Sequence, residues 1–169
     1  MELDGLTFRR VMRSLAAGVS VATALDGQGD PWGLTATAVC LVSWEPPLLL
    51  LCVDQTAECY PVFLEAEAFA VNLLRDEQEW LSRHFSLKHA RKFGGIPWRS
   101  GRTGAPLLYG VLAHVECRTT ARYPGGDHTI FVGRAVGASG ATSGKDSSPL
   151  LYYRGRYARL EGTTPLAGS

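Results

Sequence analysis

The sequence predicts a mainly β domain: an antiparallel, closed or partly closed β-barrel with two or three helices packed outside. Three observations carry this. About seven segments show the period-two alternation or the short apolar runs of strands. Helical periodicity is confined to a few short stretches. No strand–helix–strand alternation runs along the chain, which argues against a doubly wound Rossmann domain. Closure is the economical arrangement because it removes sheet edges.

In chain order, Phe8, Val11, Met12 and Leu15 mark one face of a helix that Gly18 ends. Val19 to Leu25 alternates as a strand, and residues 26–31 (DGQGDP) carry turn chemistry. A second strand is expected over Leu34–Ser43, and a third, apolar on both faces, over Leu48–Val53. Tyr60–Glu67 reads as a short helix, and Phe69–Leu74 as a strand with Asn72 in its middle. Asp76–Phe85 has an acidic start and an apolar edge, which suits a helix. Residues 86–106 are basic, Gly-rich and irregular, the composition of a functional loop. Strands at roughly 107–122, 128–138 and 149–160 complete the chain, the first two joined by a hairpin reading YPGGDH. Residues 1–169 are expected to form one domain, with a core of about 6–160 and a disordered tail over 161–169.

At 169 residues the chain is long enough to bury a core without a disulfide or metal staple. Its 17 basic and 16 acidic residues give no general affinity for nucleic acid or anionic lipid. The N-terminus lacks a secretory signal, and no apolar run is long enough to span a bilayer, so the expected location is the cytoplasm. Cys40, Cys52, Cys59 and Cys117 form no CxxC pair and read as reduced thiols, and no residues stand at zinc-ligand spacing.

Gly27, Gly29 and Gly33 do not fit GxGxxG, and the stretch around Gly144-Lys145 fails as a P-loop because Ser139 and Asp146 break the pattern. No GxSxG elbow is present. Two features are left: a Thr-rich strand preceding a Pro-Pro strand start, and the Gly-Gly-Asp-His hairpin. Alternating Thr is also ordinary strand chemistry, and Gly-Gly-Asp is also ordinary turn chemistry. Neither feature is decisive alone.

Their order is more telling. The chain reads FRRVMRSLAAGVSVAT, GLTATAVCLVSWEPPLLLLCVD, AFAVNLL, RKFGGIPWRSGRTGAPLL, GVLAHVECRTTARYPGGDHTIFVGRAV and PLLYYRGRY in succession. These blocks resemble the short-chain flavin reductases, the reductase components of two-component flavin-dependent monooxygenases, over roughly residues 6–158. The resemblance implies a split β-barrel that forms a homodimer. It implies FMN or FAD as the flavin, NADH or NADPH as the hydride donor, and a monooxygenase that receives the reduced flavin.

The resemblance also implies the site. The strand Leu34, Thr35, Ala36, Thr37 and Ala38 would line the flavin, with Thr37-Ala38 standing where the family usually has Asn-Ser. Asp54, Gln55, Thr56 and Cys59 follow the Pro-Pro strand as further flavin contacts, Cys59 replacing a more usual Thr. A helix start near Ala57 would offer free N–H groups to a flavin phosphate. Arg91 and Lys92 would supply positive charge, and Phe93 would cover the ring or the ribityl chain. His128, oriented by Asp127, would lie against the nicotinamide. Tyr157 and Arg156 would shape the pocket. Two other readings stay open: a flavin carrier that uses no nicotinamide, and a flavoprotein that reduces a different acceptor.

Overall fold

The computed structural model describes residues 3–88, 92–140 and 148–161. Among them the chain is mainly β and antiparallel. Helix α1 spans Gly5–Met12, and two short strands follow, β1 (Ala17–Gly18) and β2 (Ser20–Leu25). Then come β3 (Pro31–Ala36), β4 (Val39–Ser43), β5 (Leu48–Asp54), α2 (Tyr60–Glu65) and β6 (Ala68–Leu73). A 3₁₀ turn at Asp76–Gln78 leads into α3 (Glu79–Ser86). The rest is strand: β7 (Trp98–Ser100), β8 (Pro106–Leu108), β9 (Ala113–Gly125), β10 (His128–Gly140), β11 (Leu151–Tyr153) and β12 (Arg156–Ala158).

Seven strands form one antiparallel sheet in the order β3-β2-β6-β9-β10-β5-β4. Strands β3 and β4 end that ladder, with no pairing between them among the described residues. The single strand expected over Leu34–Ser43 is therefore two strands. The chain leaves one edge of the sheet at Thr37-Ala38 and joins the other. The alternation continues through the break, so periodicity alone does not reveal it.

Two other expectations change in the same way. The stretch 86–106 contains β7, which pairs with β8 across a turn where Gly104 takes φ 88°. The last strand is a hairpin: Arg154 and Gly155 adopt φ 50° and 78° between β11 and β12. Two successive residues at positive φ match the twist of a tight hairpin. Helix α1 starts earlier than the apolar stripe suggests. The Asp4 carboxylate accepts from the N–H groups of Leu6 and Thr7 at 3.2 and 3.0 Å, capping the free amides. None of its residues is buried.

One core cluster draws Ala22 from β2, Ala36 from β3, Leu51 and Val53 from β5, Phe69 from β6, Phe131 from β10 and Phe63 from α2. Strands far apart in the ladder thus share one interior. A second cluster joins Val21 and Leu74 to Leu81 and Phe85 of α3 and to Leu108. Asn72, fully buried, ties the two layers together. Its side-chain amide donates to Val21 O at 3.0 Å and to Thr23 Oγ1 at 3.2 Å, and its carbonyl accepts from Leu108 N at 2.8 Å. All of that polarity is satisfied, which is the condition for burying it. No helix among the described residues is long and apolar enough to cross a membrane.

Candidate active site: a groove along the edge strand

Strand β3 pairs with β2 on one side only. Its outer edge therefore leaves alternate backbone N–H and C=O groups without a ladder partner. Lys92 Nζ donates to Gly33 O on this side at 3.3 Å. By the period of two, Thr35 turns its backbone pair the same way. Helix α3 stands opposite. Thr35 Oγ1 donates to Ser82 O at 2.5 Å, and the Ser82 hydroxyl meets Tyr157 Oη at 2.9 Å.

Between these elements runs a chain of adjoining cavities. A cavity of about 630 Å³ is lined by Thr35, Thr37, Ser82, Arg83, Tyr152 and Tyr157, among others. It shares Thr35 and Ser86 with a smaller one of about 230 Å³, whose wall includes Leu34, Asp54, Thr56, Lys88 and Lys92. At the other end it shares Thr37 and Tyr152 with a third cavity of about 350 Å³, where Ala38 contributes. The groove thus follows β3 and the bend after it, from Leu34 to Ala38. A flat ring system with a polar edge fits such a trough: the free amide edge of β3 meets its heteroatoms, and the α3 wall covers a face.

At the smaller end the ladder places His128 of β10 directly opposite Asp54 of β5. His128 Nδ1 lies 2.7 Å from Asp127 Oδ1, which fixes the ring's orientation. Gln55 holds this hairpin to β5: its backbone N–H donates to Asp127 O at 3.0 Å, and its side-chain amide donates to Gly126 O and His128 O at 3.4 and 3.3 Å. Gln55 is thus a brace between the end of β5 and the Gly-Asp-His hairpin.

Several expected contacts lie elsewhere. Ala36 is 5% exposed and packs in the first core, with its carbonyl accepting from Ser20 Oγ. Cys59 is 1% exposed and points into the same core, where burial pushes its thiol pKa up. Neither side chain reaches the groove. Phe93 packs edge-on against Phe85 and Trp98, at centroid distances of 5.2 and 6.1 Å, and does not cover the trough. Arg91 lies outside the described residues.

The phosphate cradle expected near Ala57 also differs. Helix α2 begins at Tyr60, and the amides of Thr56 and Ala57 are already used. Asp54 Oδ1 accepts from Thr56 N at 2.7 Å and from Thr56 Oγ1 at 2.8 Å, while Ala57 N donates to Asp54 O at 3.0 Å. The two bonds from Thr56, its N–H first, hold the Asp54 carboxyl below its usual range. Lys92 is turned inward. Its ammonium sits between Gly33 O and Phe85 O, and burial lowers its pKa.

Helix α3 supplies the wall that motif reading missed. Ser82 and Ser86, four residues apart, line the groove while Leu81 and Phe85 enter the second core. Two small polar residues at this spacing on a helix with an apolar opposite edge were the available signal. Arg83 caps the wall: its guanidinium stacks 5.0 Å from the Tyr157 ring centre and pairs with Glu79 at 2.6 Å.

The chain's relatives share this architecture. The family described as flavin reductase like domain matches residues 12–161. A flavin reductase (NADH) from Kitasatospora aureofaciens is 41% identical over 159 residues, spanning 93% of this chain and 82% of that protein. HsaB of Rhodococcus jostii, the reductase subunit of a flavin-dependent monooxygenase, is 34% identical over 159 residues, spanning 94% and 80%. Among solved structures, the NADH:FAD oxidoreductase SgcE6 of Streptomyces globisporus, in complex with NAD and FAD fragments, superposes with a TM-score of 0.85 at 35% identity, covering 95% of this chain and 98% of that one. The chain belongs to the flavin reductase-like family.

Proposed function

We propose that this chain is an NAD(P)H-dependent flavin reductase that takes hydride from the nicotinamide, reduces FMN or FAD, and hands the reduced flavin to a partner monooxygenase. The observation that carries the reading is the groove on the free edge of β3, with the Asp127–His128 pair standing beside its Asp54 end. The relatives named above are a flavin reductase using NADH and a monooxygenase reductase subunit, which supports both the activity and the kind of partner.

The flavin, when bound, accepts the hydride; the protein's task is to hold two rings together. The outward backbone groups of Thr35 meet the flavin's polar edge, and Thr37 adds a hydroxyl. The free amide edge stabilises negative charge gained on reduction because it is fixed beforehand. Asp127 holds the His128 imidazole, which donates to the nicotinamide amide or its phosphate. This assigns the reacting rings to the Asp54–His128 end. Arg83 and Arg156, which line the main cavity, would meet the flavin's anionic tail.

Three further proposals accompany this reading. The shared core of β3, β5 and β10 supports a sheet curled as a split barrel. Helix α1, none of whose residues is buried, together with Leu41, Val42 and Trp44 on and just after edge strand β4, supports a homodimer that covers them. The four free thiols support a reducing cytoplasm. The activity is tested by mixing the purified chain with NADH or NADPH and either flavin. Flavin-dependent oxidation of the nicotinamide is expected, and its absence with every pairing refutes the reading.

A further inference from the structure

We infer that Gln55 is a positioning residue for hydride transfer: it grips the turn that carries His128 and so sets where the imidazole stands beside the groove. The inference rests on the function proposed above, in which His128 holds the nicotinamide.

The first argument is that packing does not fix this turn. The β9–β10 ladder closes at Gly125 and His128, so Gly126 and Asp127 form a two-residue hairpin turn. Gly126 takes φ 74° at the first central position, as a type II′ turn asks of glycine. Residues 122–127 are all exposed, and none of them belongs to a core cluster. A hairpin end without buried contacts opens readily, so hydrogen bonds decide its position.

The second argument is that Gln55 makes those bonds. Asp54 lies opposite His128 at the end of the β5–β10 ladder, and Gln55 is the next residue. Its N–H donates to Asp127 O at 3.0 Å. Its side-chain amide donates to Gly126 O at 3.4 Å and to His128 O at 3.3 Å. A primary amide carries two hydrogens, and these two carbonyls use both. One residue therefore meets three successive carbonyls, the last of them on His128 itself. The side-chain bonds are long and exposed, so they orient the turn more than they stabilise the chain.

The third argument is placement. Asp54 and Thr56 line the smallest cavity of the groove, but Gln55 between them lines none of the three. A side chain outside the wall acts on the reaction through another residue, and the turn it holds carries His128. With Nδ1 held by Asp127 at 2.7 Å, the remaining ring nitrogen points where the turn directs it. Misplacing a positioned group by about 1 Å is enough to lose much of its effect.

The test compares Gln55→Ala, His128→Ala and the double variant, as folded full chains with FMN as acceptor. Gln55→Ala is expected to raise KM for NADH about threefold to tenfold, with kcat changed by less than about twofold. Flavin affinity and melting temperature are expected to match the parent chain. On the His128→Ala background the same substitution is expected to change nothing further, because its effect passes through the imidazole. Gln55→Glu keeps the length and removes the donors; it is expected to show the same rise and is the variant read should Gln55→Ala melt abnormally. A readout without turnover accompanies the kinetics. The imidazole resonances of His128, identified by their loss in His128→Ala, are expected to shift in Gln55→Ala with no cofactor present.

An unmoved KM for NADH in folded variants overturns the inference. So do additive losses in the double variant, or a weakened flavin affinity, because Gln55 then touches a cofactor in its own right. Resonances that stay in place in an active chain overturn it as well. A chain without reductase activity whose His128 resonances still shift refutes the proposed function and leaves the hold of Gln55 on His128 standing.

Discussion

Thr35 on β3 and Thr37 in the bend just after it sit two residues apart, yet their hydroxyls have different work. Thr35 Oγ1 is committed to the Ser82 carbonyl and holds α3 against β3. Thr37 is exposed at the junction of two cavities and makes no hydrogen bond among the described residues. Thr35→Val is therefore expected to cost about 0.5–1.5 kcal/mol of stability and to weaken flavin binding. Thr37→Val is expected to weaken flavin binding and leave the melting temperature unchanged. Fluorescence titration and thermal melting of the pair check this; equal melting temperatures would show that the Thr35–Ser82 bond contributes nothing. His128 separates from both. His128→Ala is expected to raise KM for NADH and to lower kcat/KM by roughly tenfold to a hundredfold, about 1.4–2.8 kcal/mol of transition-state stabilisation. Flavin affinity and melting should stay near those of the parent chain, since the ring is partly exposed at a hairpin end. Normal NADH kinetics in a folded variant would remove His128 from the site.

At the scale of elements, β10 lies between β9 and β5 in the sheet, and Gly133, one of its three glycines, is a packing device. A Cβ at Gly133 would meet Phe69 Cζ at 2.6 Å and Cys117 Cβ at 2.7 Å. Gly133→Ala is expected to destabilise the chain by about 1–3 kcal/mol through overpacking, lowering the melting temperature. A variant that melts like the parent would mean the Phe69 ring yields without cost. The same scale shows what the sequence disclosed. Alternation over 19–25 marked β2, which is buried on both faces, and the apolar run at 48–53 marked β5, where burial alternates with the pleat. The break at Thr37-Ala38 was hidden, since alternation carries no information about which sheet edge a strand joins. The Arg154-Gly155 hairpin was hidden too, because a non-glycine residue at positive φ leaves little local signature. In the site, β3 and the Asp127–His128 hairpin were legible from residue order. Cys59 and Ala36 were not, since a side chain's facing depends on register with strands and helices remote in sequence. Ser82 and Ser86 escaped for a similar reason: which face of α3 meets β3 is set by Leu81 and Phe85 entering the core.

For the whole molecule, an amphipathic helix without a buried residue and an apolar edge at β4 leave surface that one copy does not cover. Trp44 is 81% exposed and Leu6 76%. Exposed apolar patches of this kind mark contact surfaces, and twofold pairing is the commonest solution. Light scattering at micromolar protein is expected to give twice the mass of the 18.3 kDa chain; a monomer would contradict the homodimer. The central claim, that the groove on β3 brings a nicotinamide against a flavin, is tested most directly by steady-state assays crossing NADH and NADPH with FMN and FAD. The account expects nicotinamide oxidation that depends on added flavin and saturates in both partners. Oxidation absent for all four pairings, with the chain folded and flavin bound, would contradict it.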